Sequence, residues 1–217
     1  AHLKVGFPTD AAAILLIELD GDLDEITAQA EVVSQVCRKQ GAVDFRVAAD
    51  AREREQLWRG RKHAVGTNGK ISPGYYTNDG VVPRSALTEI LDSVYRIGKR
   101  HGLRVANICH AGDGNIHPLI LFDPDQPGDQ ERALDCSRDI LLACLEMGGS
   151  LTGEHGIGIE KRALMERMFA PADLDHMDRL RTGFNQRNLL NPGKIFPLGG
   201  GCGEVRRKPA IPPGTWI

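Results

Sequence analysis

A chain of 217 residues suffices for one ordinary domain with a core, or for one domain and an appendage. With 41% hydrophobic and 26% charged residues it has a globular composition, and a net charge of −2 with mixed signs offers no basic field for nucleic acid or an anionic membrane surface. No apolar run approaches the ~20 residues that cross a bilayer, and the five cysteines (Cys37, Cys109, Cys136, Cys144, Cys202) contain no C-x-x-C pair, so free thiols in a reducing cytoplasm are expected.

Ala13 to Leu19 is a short apolar run ended by Asp20-Gly21-Asp22, the pattern of a strand and a turn. From Asp24 to Gln40, apolar residues recur at helical spacing until Gly41, and Val43 to Val47 reads as a second strand. Ala51 to about His63 is a charged helix with Leu57 and Trp58 as its apolar stripe. Lys70 to Tyr76 reads as a Gly/Pro loop, and Asn78 to Pro83 as a strand entering a helix from Arg84 to His101. Strands are expected at Val105 to Cys109 and Ile116 to Phe122, joined by a turn at Asp113-Gly114-Asn115, with a helix from Gln130 to Met147. A Gly-rich loop, Gly148 to Gly158, precedes one or two helices reaching about Arg187. Beyond Asn188 the chain is rich in Gly and Pro, and its basic cluster Arg206-Arg207-Lys208 reads as a solvated end.

The order strand, helix, strand, then strand, helix, strand predicts an α+β fold. It is the split β-α-β, ferredoxin-like type, with helices on one face of an antiparallel sheet and a helical C-terminal extension. The expected division puts the ferredoxin-like core at residues 1–125 and the extension at 126–217, as one compact unit.

Two segments carry chemistry. In His110-Ala111-Gly112-Asp113-Gly114-Asn115-Ile116-His117, a hairpin turn would bring the two histidines opposite each other, with Cβ atoms ~5 Å apart. Imidazoles that close can share a metal ion. In Gly153-Glu154-His155-Gly156, glycines let the backbone approach a ligand, and Glu154 offers a third, oxygen, ligand. Taken singly, a satisfied core histidine at His110 and a capping pair at Glu154-His155 are the competing accounts. His63, His101 and His176 lie in charged helical stretches and are assigned to solvent.

Three ordered motifs, HAGDGNIH at His110 to His117, GEHGIG at Gly153 to Gly158 and LNPGK at Leu190 to Lys194, resemble the C-terminal domain of the FAD-linked oxidases. That family includes D-lactate and D-2-hydroxyglutarate dehydrogenases and the glycolate oxidase flavin subunit. Gly60-Arg61-Lys62, Ser72 to Tyr76, Asp79-Gly80 and His117 to Asp123 are most similar to glycolate oxidase. The resemblance implies that His110, His117 and Glu154 hold a divalent cation (zinc, manganese or iron) and that His155 acts on the hydroxyl of a small 2-hydroxy acid. It further implies that Arg61 binds the substrate carboxylate, that Tyr76 lines the pocket, and that Asn191 lies near the cofactor. FAD would be held mainly by an N-terminal FAD domain that nothing in these residues resembles, so the chain alone is expected neither to bind FAD tightly nor to turn over. Companion oxidase subunits are implied, one with iron–sulfur centres, and with them a cytoplasmic location or a peripheral one at the inner face of the membrane.

Members acting on 2-hydroxyglutarate carry a polar residue where this chain has Leu119, and a lysine where it has Thr77 and Asn78. That departure favours a monocarboxylate such as glycolate or D-lactate. The rival reading from another class is a non-enzymatic metal- or ligand-binding module on the same scaffold; metal-dependent hydrolysis is a third.

Overall fold

The computed structural model describes residues 6–8 and 10–197, so Cys202 and the basic cluster at 206–208 lie outside the described residues. The chain divides into two compact units, Ala1–Lys70 and Ile71–Ile217.

The first unit is helical. Helix α1 (Leu23–Lys39) begins at Asp22, whose side chain accepts the Glu25 N–H at 3.0 Å. Asp24 and Glu25 in its first turn and Arg38 and Lys39 in its last complement the helix dipole. Helix α2 (Ala51–Lys62) is capped in the same way by Asp50, which accepts the Glu53 N–H at 2.7 Å, and α3 (Ala64–Asn68) follows after His63. The strands expected at 13–19 and 43–47 do not form. A strand is stabilised by ladder partners and by burial of one face. Here Ile14, Leu15, Ile17, Val43, Phe45 and Val47 are all exposed. The pattern is that of strands, but within this unit the segments find no partner.

The second unit carries the α+β fold class predicted from the sequence. Strands β1 (Gly74–Thr77) and β2 (Gly80–Val81) lie along one side of β4 (Asn115–Phe122), and β3 (Arg104–His110) lies along the other, all antiparallel. β1 falls where a Gly/Pro loop was expected. Its Tyr75-Tyr76-Thr77 run suits a strand, and Ser72 anchors its start by donating its hydroxyl to the Phe122 carbonyl at 2.7 Å.

Side chains alternate across this sheet. Ile116 and Ile120 of β4, both fully buried, face α4 (Leu87–Arg100) and α5 (Asp129–Glu146). Those helices contribute Ile90, Val94 and Ile97 and, from α5, Ala133, Cys136, Ile140 and Cys144. A smaller cluster of Leu141, Leu151, Leu164 and Met165 joins α5 to α6 (Met165–Met168) and α7 (Pro171–Phe184). His101, assigned to solvent from the sequence, instead contacts Asp139 at 2.9 Å beside α5.

Burial pushes the Cys136 thiol up to about 11, helped by the nearby Asp139 charge, and the Cys144 thiol up to about 12. Because the thiolate is the reactive form, both thiols are expected to ignore an aromatic disulfide reagent at pH 8 until the chain is unfolded. Release of chromophore from either in the folded protein would contradict this packing.

Candidate metal centre and its loop

The β3–β4 hairpin turns through residues 111–114. Gly114 is at φ +81°, where a side chain is strained, and a Cβ there would collide with the Val82 carbonyl oxygen. Asp113 accepts the Asn115 N–H at 2.9 Å, closing the turn from the side chain. The register pairs Ile108 with His117 and His110 with Asn115. The two histidines are therefore diagonal neighbours on one face, not directly opposite as expected, because the turn takes only residues 111–114 and Asn115, expected in the turn, instead pairs with His110 as the first residue of β4. Their ring centroids are 5.3 Å apart and meet edge to face at 86°.

A proline inside the central strand sets the orientation of His117. β1 and β2 share one register on β4, with Thr77 opposite Leu119 and Gly80 opposite Ile116, so Asn78 falls opposite Pro118 and Asp79 opposite His117. Asn78 donates its N–H to the Pro118 carbonyl at 2.9 Å, but Pro118 has no N–H to return. The Asn78 carbonyl is left for the His117 ring, whose Nδ1 approaches it at 3.4 Å. A proton held on Nδ1 by a carbonyl leaves Nε2 with its lone pair free, the state a metal ligand needs. Proline is normally excluded from a central strand. Here the lost ladder bond is what frees the carbonyl for His117.

Glu154 comes from the loop after α5. Gly153 lets this loop lie against the hairpin, since a Cβ there would sit 2.6 Å from Asn115 Nδ2. Glu154 Oε1 lies 2.9 Å from His117 Nε2 and 3.4 Å from His110 Nε2, and accepts from Asn115 Nδ2 at 3.1 Å. The His155 ring stacks on His117 with centroids 5.1 Å apart and planes at 22°. The cluster opens into a cavity of about 430 Å³ lined by Val81, His110, Asp113, Asn115, Gly153 and Glu154.

Among the described residues, two sets of groups have ligand atoms within 4.8 Å of one another: His110, His117 and Glu154, and Asp79, His117 and His155. Their surroundings decide between them. Asp79 is fully buried and its oxygens are already occupied. Oδ2 accepts from the Thr152 hydroxyl at 2.5 Å, the His155 N–H at 2.9 Å and the Lys161 ammonium at 3.2 Å, and Oδ1 accepts the Gly153 N–H at 3.1 Å. Burial works against the charged form. The Thr152 hydroxyl, the His155 N–H, the Lys161 charge and the Gly153 N–H outweigh it and hold the Asp79 carboxyl well below the ordinary range. A cation there would have to displace an ammonium. His110 and Glu154, by contrast, are each about half exposed, at 50% and 51%, and the two imidazole nitrogens and one carboxylate oxygen of the first set fit a divalent cation with an open coordination position.

Of the other residues singled out in the sequence, Tyr76 and Asn191 belong to the second unit and Arg61 to the first. Tyr76 pairs with Ile120 and packs against the α4/α5 core, on the face of the sheet opposite His117. Its hydroxyl donates to Glu160 at 2.6 Å; burial, with the Glu160 carboxylate, raises its pKa. Tyr75, its neighbour, is exposed on the His117 face. Arg61 is half-buried in the last turn of α2, in the first unit. Asn191 accepts from Lys194 at 3.0 Å in a segment that returns to the loop carrying Glu154 and His155 through the Ile195 N–H to Gly158 carbonyl bond at 2.7 Å. Sequence reasoning missed Thr152 and Lys161 and noted Asp79 and Asn115 only within motifs. An acidic residue in an apolar strand needs a buried partner, and that was the one available signal. The partner, 82 positions along the chain, carried no mark of its own.

A family model described as "FAD linked oxidases, C-terminal domain" matches residues 1–195. The chain is 45% identical over 202 residues to the glycolate oxidase subunit GlcD of Escherichia coli K12, covering 93% of this chain and 40% of that protein. It is 33% identical to the GlcD subunit of Bacillus subtilis, covering 90% and 42%, and 33% identical to a probable mitochondrial D-lactate dehydrogenase of Danio rerio, covering 85% and 37%. The chain thus spans about 40% of the length of the curated relatives it matches. Among solved structures, a 4-ethylphenol oxidase from Gulosibacter chungangensis shares the fold, with a TM-score of 0.55 at 16% identity, covering 82% of this chain and 38% of that one. With residues 1–195 accounted for by one family model, this chain belongs to the FAD-linked oxidases, as their C-terminal domain.

Proposed function

We propose that this chain is the substrate-binding portion of an FAD-dependent oxidoreductase that converts glycolate, or D-lactate, to the 2-oxo acid. The observation that carries the reading is the placement of His155, stacked on His117 beside the His110/His117/Glu154 set. A divalent cation held by those three residues would polarise the hydroxyl and carboxylate of a 2-hydroxy acid. His155, exposed at the edge of the cluster, takes the hydroxyl proton on a free ring nitrogen as general base. FAD, which the family resemblance puts mainly on an N-terminal domain, would accept the α-hydrogen with its electron pair as hydride as the alcohol carbon becomes a carbonyl.

Asn115 Nδ2 orients the Glu154 side chain by donating to its Oε1 at 3.1 Å. Leu119, fully buried two residues beyond His117 on the same face, gives a second substrate carboxylate no partner, in line with a monocarboxylate. Arg61 is assigned the single carboxylate and Asn191 a place near the flavin, on the resemblance alone, whereas Tyr76, turned to the α4/α5 core, is given no part in the pocket. Companion subunits, one with iron–sulfur centres, and a cytoplasmic or membrane-peripheral location belong to the same proposal; among the described residues no helix is long and apolar enough to cross a membrane.

In the assembled flavoenzyme, anaerobic glycolate or D-lactate is expected to bleach the flavin absorbance, whereas the isolated chain is colourless and reduces no dye. Flavin left unbleached by both acids would refute the reading.

A further inference from the structure

We propose that Asp79 is the positioning residue of this site: its buried carboxylate sets the loop that presents Glu154 and His155 to the hairpin histidines. The inference rests on the metal reading above and goes further, to what holds the ligands in place. Residues 151–158 are neither helix nor strand, so no ladder fixes them. Instead, three consecutive backbone N–H groups converge on one side chain. Gly153 N donates to Asp79 Oδ1 at 3.1 Å, Glu154 N reaches the two oxygens at 3.3 and 3.4 Å, and His155 N donates to Oδ2 at 2.9 Å.

Thr152 closes the ring: its hydroxyl donates to Asp79 at 2.5 Å and accepts the Gly156 N–H at 2.8 Å. Lys161, itself buried, donates to both the carboxylate and the carbonyl of Asp79 at 3.2 Å and ties down the far end of the loop. Asp79 in turn is opposite His117 in the sheet, two β-strand residues from Val81, which lines the cavity. A single carboxylate therefore fixes the loop relative to the strand that carries one histidine ligand. Glu154 could not hold 2.9 Å to His117 if the loop backbone drifted by an ångström.

The amide of an Asp79→Asn variant has one acceptor atom where the carboxylate has two, and turns N–H donors toward N–H donors or the Lys161 ammonium. The test titrates Co²⁺ into the full 217-residue chain, following its d–d absorption, and measures hydrogen exchange of the loop by mass spectrometry. Displaced outer-shell partners typically weaken metal binding by 10–100-fold. Asp79→Asn is expected to lose about that much Co²⁺ affinity, with a changed d–d spectrum and amide protection lost across 152–156. Thr152→Val, which keeps the shape and removes one bond, is expected to lose about 3–10-fold and serves if Asp79→Asn does not fold. Ile140→Val, a core change of α5, is expected to lower the melting temperature with Co²⁺ affinity and loop exchange unchanged.

Wild-type affinity and loop exchange in both Asp79→Asn and Thr152→Val would overturn the proposal. If the wild-type chain binds no Co²⁺, the metal reading fails, and the positioning role is decided by exchange alone: lost protection confined to 152–156 upholds it, unchanged protection ends it.

Discussion

In the assembled flavoenzyme, His155→Ala is expected to lower the rate of flavin reduction by about 10²–10⁴-fold, the usual contribution of a positioned general base, while metal content stays at the wild-type level. The separation follows from geometry. His155 contributes its backbone N–H to Asp79 and its ring to the stack on His117, but its side chain is not one of the three groups His110, His117 and Glu154. Removing the ring leaves the loop anchored and the ligand set intact. A residue that merely packed beside His117 would change stability and leave the rate within a small factor. The effect should fall on kcat more than on KM, because a general base acts as the proton leaves and not as the acid binds. Normal flavin reduction in His155→Ala would remove the base from the mechanism and favour the non-enzymatic metal-binding module.

Much of the second unit is legible in its sequence, for reasons that can be named. The HAGDGNIH motif places turn residues between two apolar runs, so the hairpin reads from local chemistry. The α4 and α5 stripes, Ile90-Val94-Ile97 and Ala133-Cys136-Ile140-Cys144, follow helical spacing. What failed to read was decided by distance along the chain. Residues 13–19 and 43–47 have the composition of strands but gain no burial, so local propensity has nothing to act on. Tyr76 reads as a loop aromatic until the register with Ile120 turns it toward the core. Pro118 lies inside a run read as a strand, and only the two-sided pairing of β4 shows that its missing N–H falls where the Asn78 carbonyl serves His117.

The loop at residues 151–158 shows the same division. Glu154 and His155 stand out by residue type between glycines, and the fold brings both to the hairpin histidines. Asp79 does not stand out, because its importance is a sum over Thr152, three backbone N–H groups and Lys161, none of them local to it. A single sequence displays the groups that could do chemistry more readily than the groups that hold them still.

The claim on which the rest depends is that His110, His117 and Glu154 hold a divalent cation. Two imidazole nitrogens and a carboxylate oxygen converge there, one imidazole oriented by a backbone carbonyl and the carboxylate by an asparagine amide. Since losing one orienting partner typically costs 10–100-fold in affinity, removing two of the three ligands should cost more than about 1000-fold. The most direct test is elemental analysis by mass spectrometry of the purified wild-type chain beside the His110→Ala, His117→Ala double variant. The account predicts near-stoichiometric zinc, manganese or iron in the wild type and only background in the variant; equal metal in the two samples, or none in the wild type after saturation with each of the three ions, would contradict it.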